Sequence, residues 1–283
     1  MVLESLLAPL KAEKKPWETF FLGFLYTSVG IFLALWIFRD QASLIMVFLI
    51  TMAALPIFYN TMKLEETKDM IMDHETSILK EHNKAILFFM FLFIGITLAT
   101  AMWYILLPTE TINVLFDKQV GTIRAINNQV SGDAIHNLSI FWKILFNNFK
   151  VLAFSILFAL IFGAGAIFIL AWNATVIGAA IGNFIRIKLA EITASMGLFQ
   201  NSGYLHVISY GVLRYAPHGI FEIAAYFYGG LAGGILSVAL IRKHYKTQKF
   251  STIMIDFSEL IMLSIGFLIA AAFIEVYVTP ALF

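Results

Sequence analysis

The sequence predicts an all-α fold, a polytopic transmembrane helical bundle of about seven spans. One span is expected to be short or re-entrant, and an amphipathic region is expected outside the hydrocarbon. Three observations carry this expectation. Apolar residues make up 60% of the chain, charged residues only 13%, and mean hydropathy is +0.85. A soluble domain carries about 25% charged residues and would associate through so much exposed apolar surface. The apolar residues also fall into runs of about 20, the length that crosses a bilayer as helix, and short polar stretches separate the runs. A net charge of +1, without basic stretches interleaved with aromatics, argues against a nucleic-acid partner. There is no cysteine, which excludes disulfides, thiolate metal ligands and cysteine nucleophiles.

Lys11, Lys14 and Lys15 precede an apolar run too long for a signal-peptide core and without a small-x-small cleavage site, so this run reads as the first permanent span. Phe20–Phe38 and Ala42–Tyr59 are separated only by Arg39-Asp40-Gln41 and form a tight hairpin. Thr61–Lys84 is polar but free of Gly and Pro, so the flanking helices are expected to continue into water. Residues 1–84 are thus a hairpin with a cytoplasmic helical extension, and 85–283 form the core. The third span, Ala85–Leu107, stops at Pro108 because proline cannot continue an established helix. Ile112, Leu115, Phe116, Val120, Ile123 and Ile126 then recur at helical spacing. A second amphipathic pattern follows at Ile135, Leu138, Phe141, Trp142 and Leu145. Both are expected to lie along the membrane or cap the bundle. Span four is about Phe149–Ala171; Asn147 and Asn148 could line a polar site, but an Asn just before a helix is more often an N-cap. The piece Ala174–Ile185 is short enough to span or to re-enter. Arg186–Gly203 reads as loop, Tyr204–Leu240 as a span, and Phe257–Val278 as the last.

Seven crossings with the N-terminus cytoplasmic place eleven of the 19 Lys and Arg residues inside. The positive-inside rule then puts the C-terminus outside the cell membrane.

The most informative stretch runs from Tyr215 to Ala224. His218 and Glu222 are four apart and share a helical face. Ionisable groups at membrane depth are costly and commonly mark function. They could form a proton relay, a metal half-site or a partner-binding hub, or a hydrogen-bonded pair that fixes packing. Pro217 is expected in a first helical turn, and Pro217 with Gly219 to shape the local backbone. Asn173 and Asn183, beside or within an apolar segment, join the candidate polar core. Glu275 is expected to pair with Arg214 or reach the headgroups. Gly178 and Gly182, and the overlapping pairs Gly229/Gly233 and Gly230/Gly234, have the spacing that lets helix backbones touch, within the chain or across a homodimer. Asp73-His74-Glu75 with His82 has metal-ligand composition, but a solvated helical face explains it better. No Gly-x-Ser-x-Gly, P-loop or HExxH pattern is present, so the sequence points to no catalytic set, metal or cofactor.

These residues resemble the stage II sporulation protein M family. The matching pieces are Asn147-Asn148, the run from Gly163-Ala164-Gly165 to Asn173 and Gly178, Pro217-His218-Gly219-Ile220-Phe221-Glu222 with the glycine cluster, and Ala271–Pro280. The likeness covers about Ala85–Phe283, with the Phe20–Tyr59 hairpin extra. It implies a five-span core, N-terminus inside and C-terminus outside. It also implies a scaffold without catalysis, of the kind that holds peptidoglycan-degrading enzymes during spore engulfment. The expected function is therefore a non-enzymatic scaffold for membrane or envelope proteins, embedded in lipid and able to pair with a second copy. The alternatives are a transporter or channel with a polar site at His218 and Glu222, and an intramembrane metalloenzyme.

Overall fold

The computed structural model describes residues 15–71, 78–130, 137–162, 165–196, 201–247 and 250–282, and these are helical nearly throughout. Among them, seven helices are long and apolar enough to cross a membrane, as the composition requires. The elements are α1 (Glu18–Ile37), α2 (Ala42–Ile71), α3 (Ile78–Leu106), α4 (Thr109–Leu115), α5 (Asp117–Val130), α6 (Asn137–Phe162), α7 (Ala166–Met196), α8 (Asn201–Ile241) and α9 (Phe250–Phe273). A π-helical turn, Ile274–Val278, and the short α10, Thr279–Leu282, follow. The distal end of the bundle carries α4, α5 and the 39–41 turn. The proximal end carries the approach to α1 and the α6–α7 and α8–α9 connections.

α8 is the axis. It packs against α9, α6, α7, α2 and α3, and 89% of its apolar window is buried, against 28% in α6 and in α9. That difference follows from sequence. The inner stretch Tyr226–Ala239 is small or apolar on every side, whereas α1 and α6 turn Phe21, Trp36, Phe154 and Phe162 outward, where lipid replaces water. One core joins the hairpin to the rest, with Ile31, Met46, Phe89 and Phe227 in the same cluster. Phe89 stacks on Phe227 at 5.6 Å and meets Phe58 at 4.4 Å.

Lipid offers no hydrophobic drive between helices, so close approach and polar bonds must supply it. Gly23 of α1 lies on the Leu92 carbonyl of α3, and Gly95 of α3 on the Phe20 carbonyl. A β-carbon on Gly178 would sit 2.6 Å from Thr100 Cβ, and one on Gly182 2.6 Å from Tyr104 Cβ. On α8, Gly229 faces Leu152, Gly230 faces Ala166, and a β-carbon on Gly233 would sit 2.8 Å from Ala159 Cβ. Gly234 is buried beside them. These faces, expected to serve either the chain or a homodimer, are occupied within the chain. Cross-helix bonds add to them: Thr19 Oγ1 to the Phe88 carbonyl, Ser264 Oγ to that of Ala225, and Ser237 Oγ to that of Leu160, each 2.9 Å.

Several expectations are corrected. Span four ends at Phe162 and span five begins at Ala166, rather than span four running on to Ala171. α6 and α7 are therefore both full-length, and Ala174–Ile185 is the middle of a spanning helix rather than a short or re-entrant piece. Gly165 suits this boundary because a β-carbon there would strike the Phe158 carbonyl. Asn173 does not break α7, since its Nδ2 donates to the Ile169 carbonyl one turn back, at 2.7 Å. The pattern from Leu138 to Leu145 is the first turns of α6, so Asn147 and Asn148 lie inside a helix and cap nothing. Arg186 to Met196 is helix, not loop. Pro217 lies inside α8, where it leaves the Leu213 carbonyl without an N–H donor. Gly219 has ordinary helical geometry, and an added methyl would meet nothing within 4 Å, so it shapes no bend.

The polar stretch between α2 and α3 does extend both helices, to Ile71 and from Ile78. Part of it is not solvated, however. Glu65, Glu66 and His82 are fully buried. Asp73, His74 and Glu75 lie outside the described residues.

Candidate functional site

His218 and Glu222 share a face of α8, as their spacing requires, but each finds its partner on another helix. The Nδ2 of Asn148, on α6, donates to Glu222 Oε1 in a close hydrogen bond. His218 Nδ1 lies 3.3 Å from Thr279 Oγ1, where α10 begins. The expected His218–Glu222 pair is thus replaced by two cross-helix contacts. The physical reason is that residues four apart lie side by side along one helix, and both point into the groove between α6 and α9.

Glu275 completes the group. It lies in the π-helical turn, which touches both α6 and α8, and its carboxyl is within electrostatic reach of Glu222 and of the buried Tyr226. The expected alternatives for Glu275, Arg214 or the headgroups, give way to this placement. The Arg214 guanidinium instead stands over the Phe184 ring, 5.6 Å from its centroid. A π-turn shifts the helical register locally, and such turns recur at functional sites. Two carboxyls, an amide, an imidazole, a phenol and a hydroxyl therefore meet between α6, α8 and the end of α9. Such a set can carry a proton or present polar atoms to a partner helix. Among the described residues, no three His, Asp or Glu side chains converge as a metal set.

Asn173 and Asn183 lie elsewhere. Asn173 is bonded within α7, as above. Asn183 accepts from the Tyr104 hydroxyl at 3.3 Å and lines a distal cavity. The polar core expected from four residues therefore keeps His218 and Glu222 and exchanges the asparagines for Asn148 and Glu275.

Two further polar groups were not anticipated. At the proximal end, His82 Nδ1 lies 2.6 Å from Glu65 Oε2. Glu66 is gripped by Arg242 Nη1 at 2.6 Å and His244 Nδ1 at 2.7 Å. Lys243 lies between those two residues in the left-handed region, with φ 61°, and its turn aims both side chains back at α2. At the distal end the buried Gln119 of α5 accepts from Ser43 Oγ at 2.7 Å and donates to Thr175 Oγ1 at 3.4 Å. It pins the cap to α2 and α7. In the sequence these residues look like ordinary helix-surface polar groups. The one available signal is that Glu65 and Glu66 follow an apolar span on the same uninterrupted helix.

Fold and site together define a multi-pass, all-helical membrane protein with a polar cluster enclosed between its spans. The chain belongs to the stage II sporulation protein M family, matched over residues 44–280. The match begins in α2, earlier than Ala85, and so takes in one helix of the hairpin. An uncharacterised protein of Methanocaldococcus jannaschii is 31% identical over 166 residues, which cover 57% of this chain and 83% of that protein. No solved structure matches the chain. Three of the stretches that carried the family resemblance, around Asn148, Pro217–Glu222 and Ala271–Pro280, meet at the polar cluster.

Proposed function

We propose that the chain is a non-enzymatic membrane scaffold that anchors partner membrane or envelope proteins, with its N-terminus cytoplasmic and its C-terminus outside. The observation that carries this reading is the closure around α8. Its glycines bring neighbouring backbones into contact with α6 and α7, and its inner half is buried without interruption. A helix wedged in this way suits a rigid platform better than a moving gate. The cap of α4 and α5, pinned by Gln119, offers the partner-facing surface. The test is photocrosslinking from Lys118 and Arg124 positions in native membranes, followed by identification of the products. Reproducible adducts to one or a few membrane or envelope proteins, lost when the cap is substituted, support the scaffold. Adducts to lipid alone, whatever the position, refute it.

A second reading, proton- or cation-coupled transport, is favoured by one specific observation, that Glu222 and Glu275 lie within electrostatic reach of each other in the spanning helices. It requires water to reach the cluster. A single cysteine at Asn148 or Ser264 that reacts with an impermeant thiol reagent would support transport and count against the closed platform.

A further inference from the structure

The distal cavity is separate from the intramembrane cluster. It has a volume of about 790 Å³, opens between α4, α5 and the ends of α3 and α7, and combines two guanidiniums with an apolar wall. We propose that it binds the phosphate of an anionic phospholipid, with Arg124 and Arg186 as its ligands.

Arg186 is held in place from behind. Its Nη1 donates to the Tyr104 and Leu107 carbonyls at 3.3 and 2.7 Å, and its Nη2 to Thr109 Oγ1 at 2.8 Å. These bonds engage the orphan carbonyls at the end of α3 and use three of the five N–H groups of a guanidinium. They leave donors over, and they neutralise no charge. Arg124, on α5, is exposed and also lines the cavity. Among the described residues, neither arginine has a carboxylate partner. The acid on the cavity wall, Asp117, is paired with Lys118 at 2.8 Å. The cavity lining therefore sets two guanidiniums against one carboxylate, a net positive charge whose N–H forks suit phosphate binding.

Depth and lining select the lipid over a free anion. Tyr104 and Arg186 lie near the ends of their apolar windows, His82–Leu106 and Ala166–Glu191, which is the level of the headgroups. Ile112, Phe116 and Ile187 give the cavity an apolar side that can receive the glycerol and the first methylenes of an acyl chain. Inorganic phosphate would leave that side empty.

The test uses the full-length purified chain, delipidated in mild detergent and followed by native mass spectrometry. It is titrated separately with phosphatidylglycerol, phosphatidylcholine and inorganic phosphate. The expected result is a first phosphatidylglycerol bound about tenfold more tightly than phosphatidylcholine, with that preference lost in Arg124→Gln, one charge-assisted contact being worth about that factor. Asp117→Asn should strengthen phosphatidylglycerol binding. Arg186→Gln also removes bonds that cap α3 and can fail to fold, so the exposed Arg124 decides the question. Undiminished phosphatidylglycerol binding by Arg124→Gln, or equal binding of the two lipids by the wild type, would overturn the proposal. Saturable inorganic phosphate that phosphatidylglycerol does not displace would overturn the lipid assignment in favour of a free anion.

Discussion

The bond between Asn148 and Glu222 ties α6 to the central helix, and replacing Asn148 with leucine tests what it is worth. Leucine keeps the branched heavy-atom shape of asparagine while removing its polar atoms, so Glu222 loses its donor. Interhelical hydrogen bonds in membrane proteins contribute about 0.6 kcal/mol on average and about 1.7 at most. Leaving a buried polar group unsatisfied costs about 1–3 kcal/mol. Asn148 is 6% exposed, and the carboxyl it serves also faces Glu275, so the upper part of the first range applies. Asn148→Leu should cost about 1–2 kcal/mol. The double substitution Asn148→Leu with Glu222→Leu removes both polar partners together and should recover to within about 0.5 kcal/mol of wild type, as expected when neither partner is left unpaired. Unfolding by sodium dodecyl sulfate in mixed micelles, followed by circular dichroism, measures both. An Asn148→Leu protein as stable as wild type would refute the argument. So would a double variant destabilised by the sum of the singles, because the two residues would then be uncoupled.

The remaining expectations concern other parts of the molecule. Gly178→Leu should abolish folding, since even a β-carbon there falls 2.6 Å from Thr100 Cβ. Gly266→Ala, with nothing within 4 Å, should be neutral or stabilise by about 0.5–1 kcal/mol through helix propensity, and expression with monodisperse elution distinguishes the two. Arg242→Met leaves the buried Glu66 with His244 alone. Breaking a fully buried pair costs about 3–5 kcal/mol, and because Arg242 is 32% exposed a loss of about 2 kcal/mol is expected in the same unfolding titration. His218→Ala and Glu222→Gln should leave protein level and melting nearly unchanged while partner crosslinks or transport disappear. Normal function with reduced stability in both would make the cluster a packing device. A cysteine in place of Lys118 should react with an impermeant reagent from outside the cell and one in place of Lys246 should not, and labelling of both from one side would refute the orientation.

Much of the architecture was legible in the residues because a bilayer imposes one-dimensional rules. Apolar length sets the number of spans, Arg39-Asp40-Gln41 and Pro108 mark ends, and the period of Ile112, Leu115 and Phe116 marks the cap helices. Their burial at the distal end agrees. The boundary between α6 and α7 escaped because the residues between Phe162 and Ala166 are small and apolar, so hydropathy does not change there. Asn173 misled for the complementary reason. A polar side chain bonded to its own helix looks, in sequence, like one that ends it. His218 and Glu222 could be recognised as costly inside a membrane. Their partners could not be read, because Asn148 is 74 residues from Glu222 and the helix pairing that joins them follows from packing. The same holds for Glu66 with Arg242, and for the two arginines of the distal cavity. Composition and periodicity state what must leave water. Which polar groups then meet depends on helix rotation and close approach in three dimensions, set by Gly229, Gly230 and Gly233 against α6 and α7.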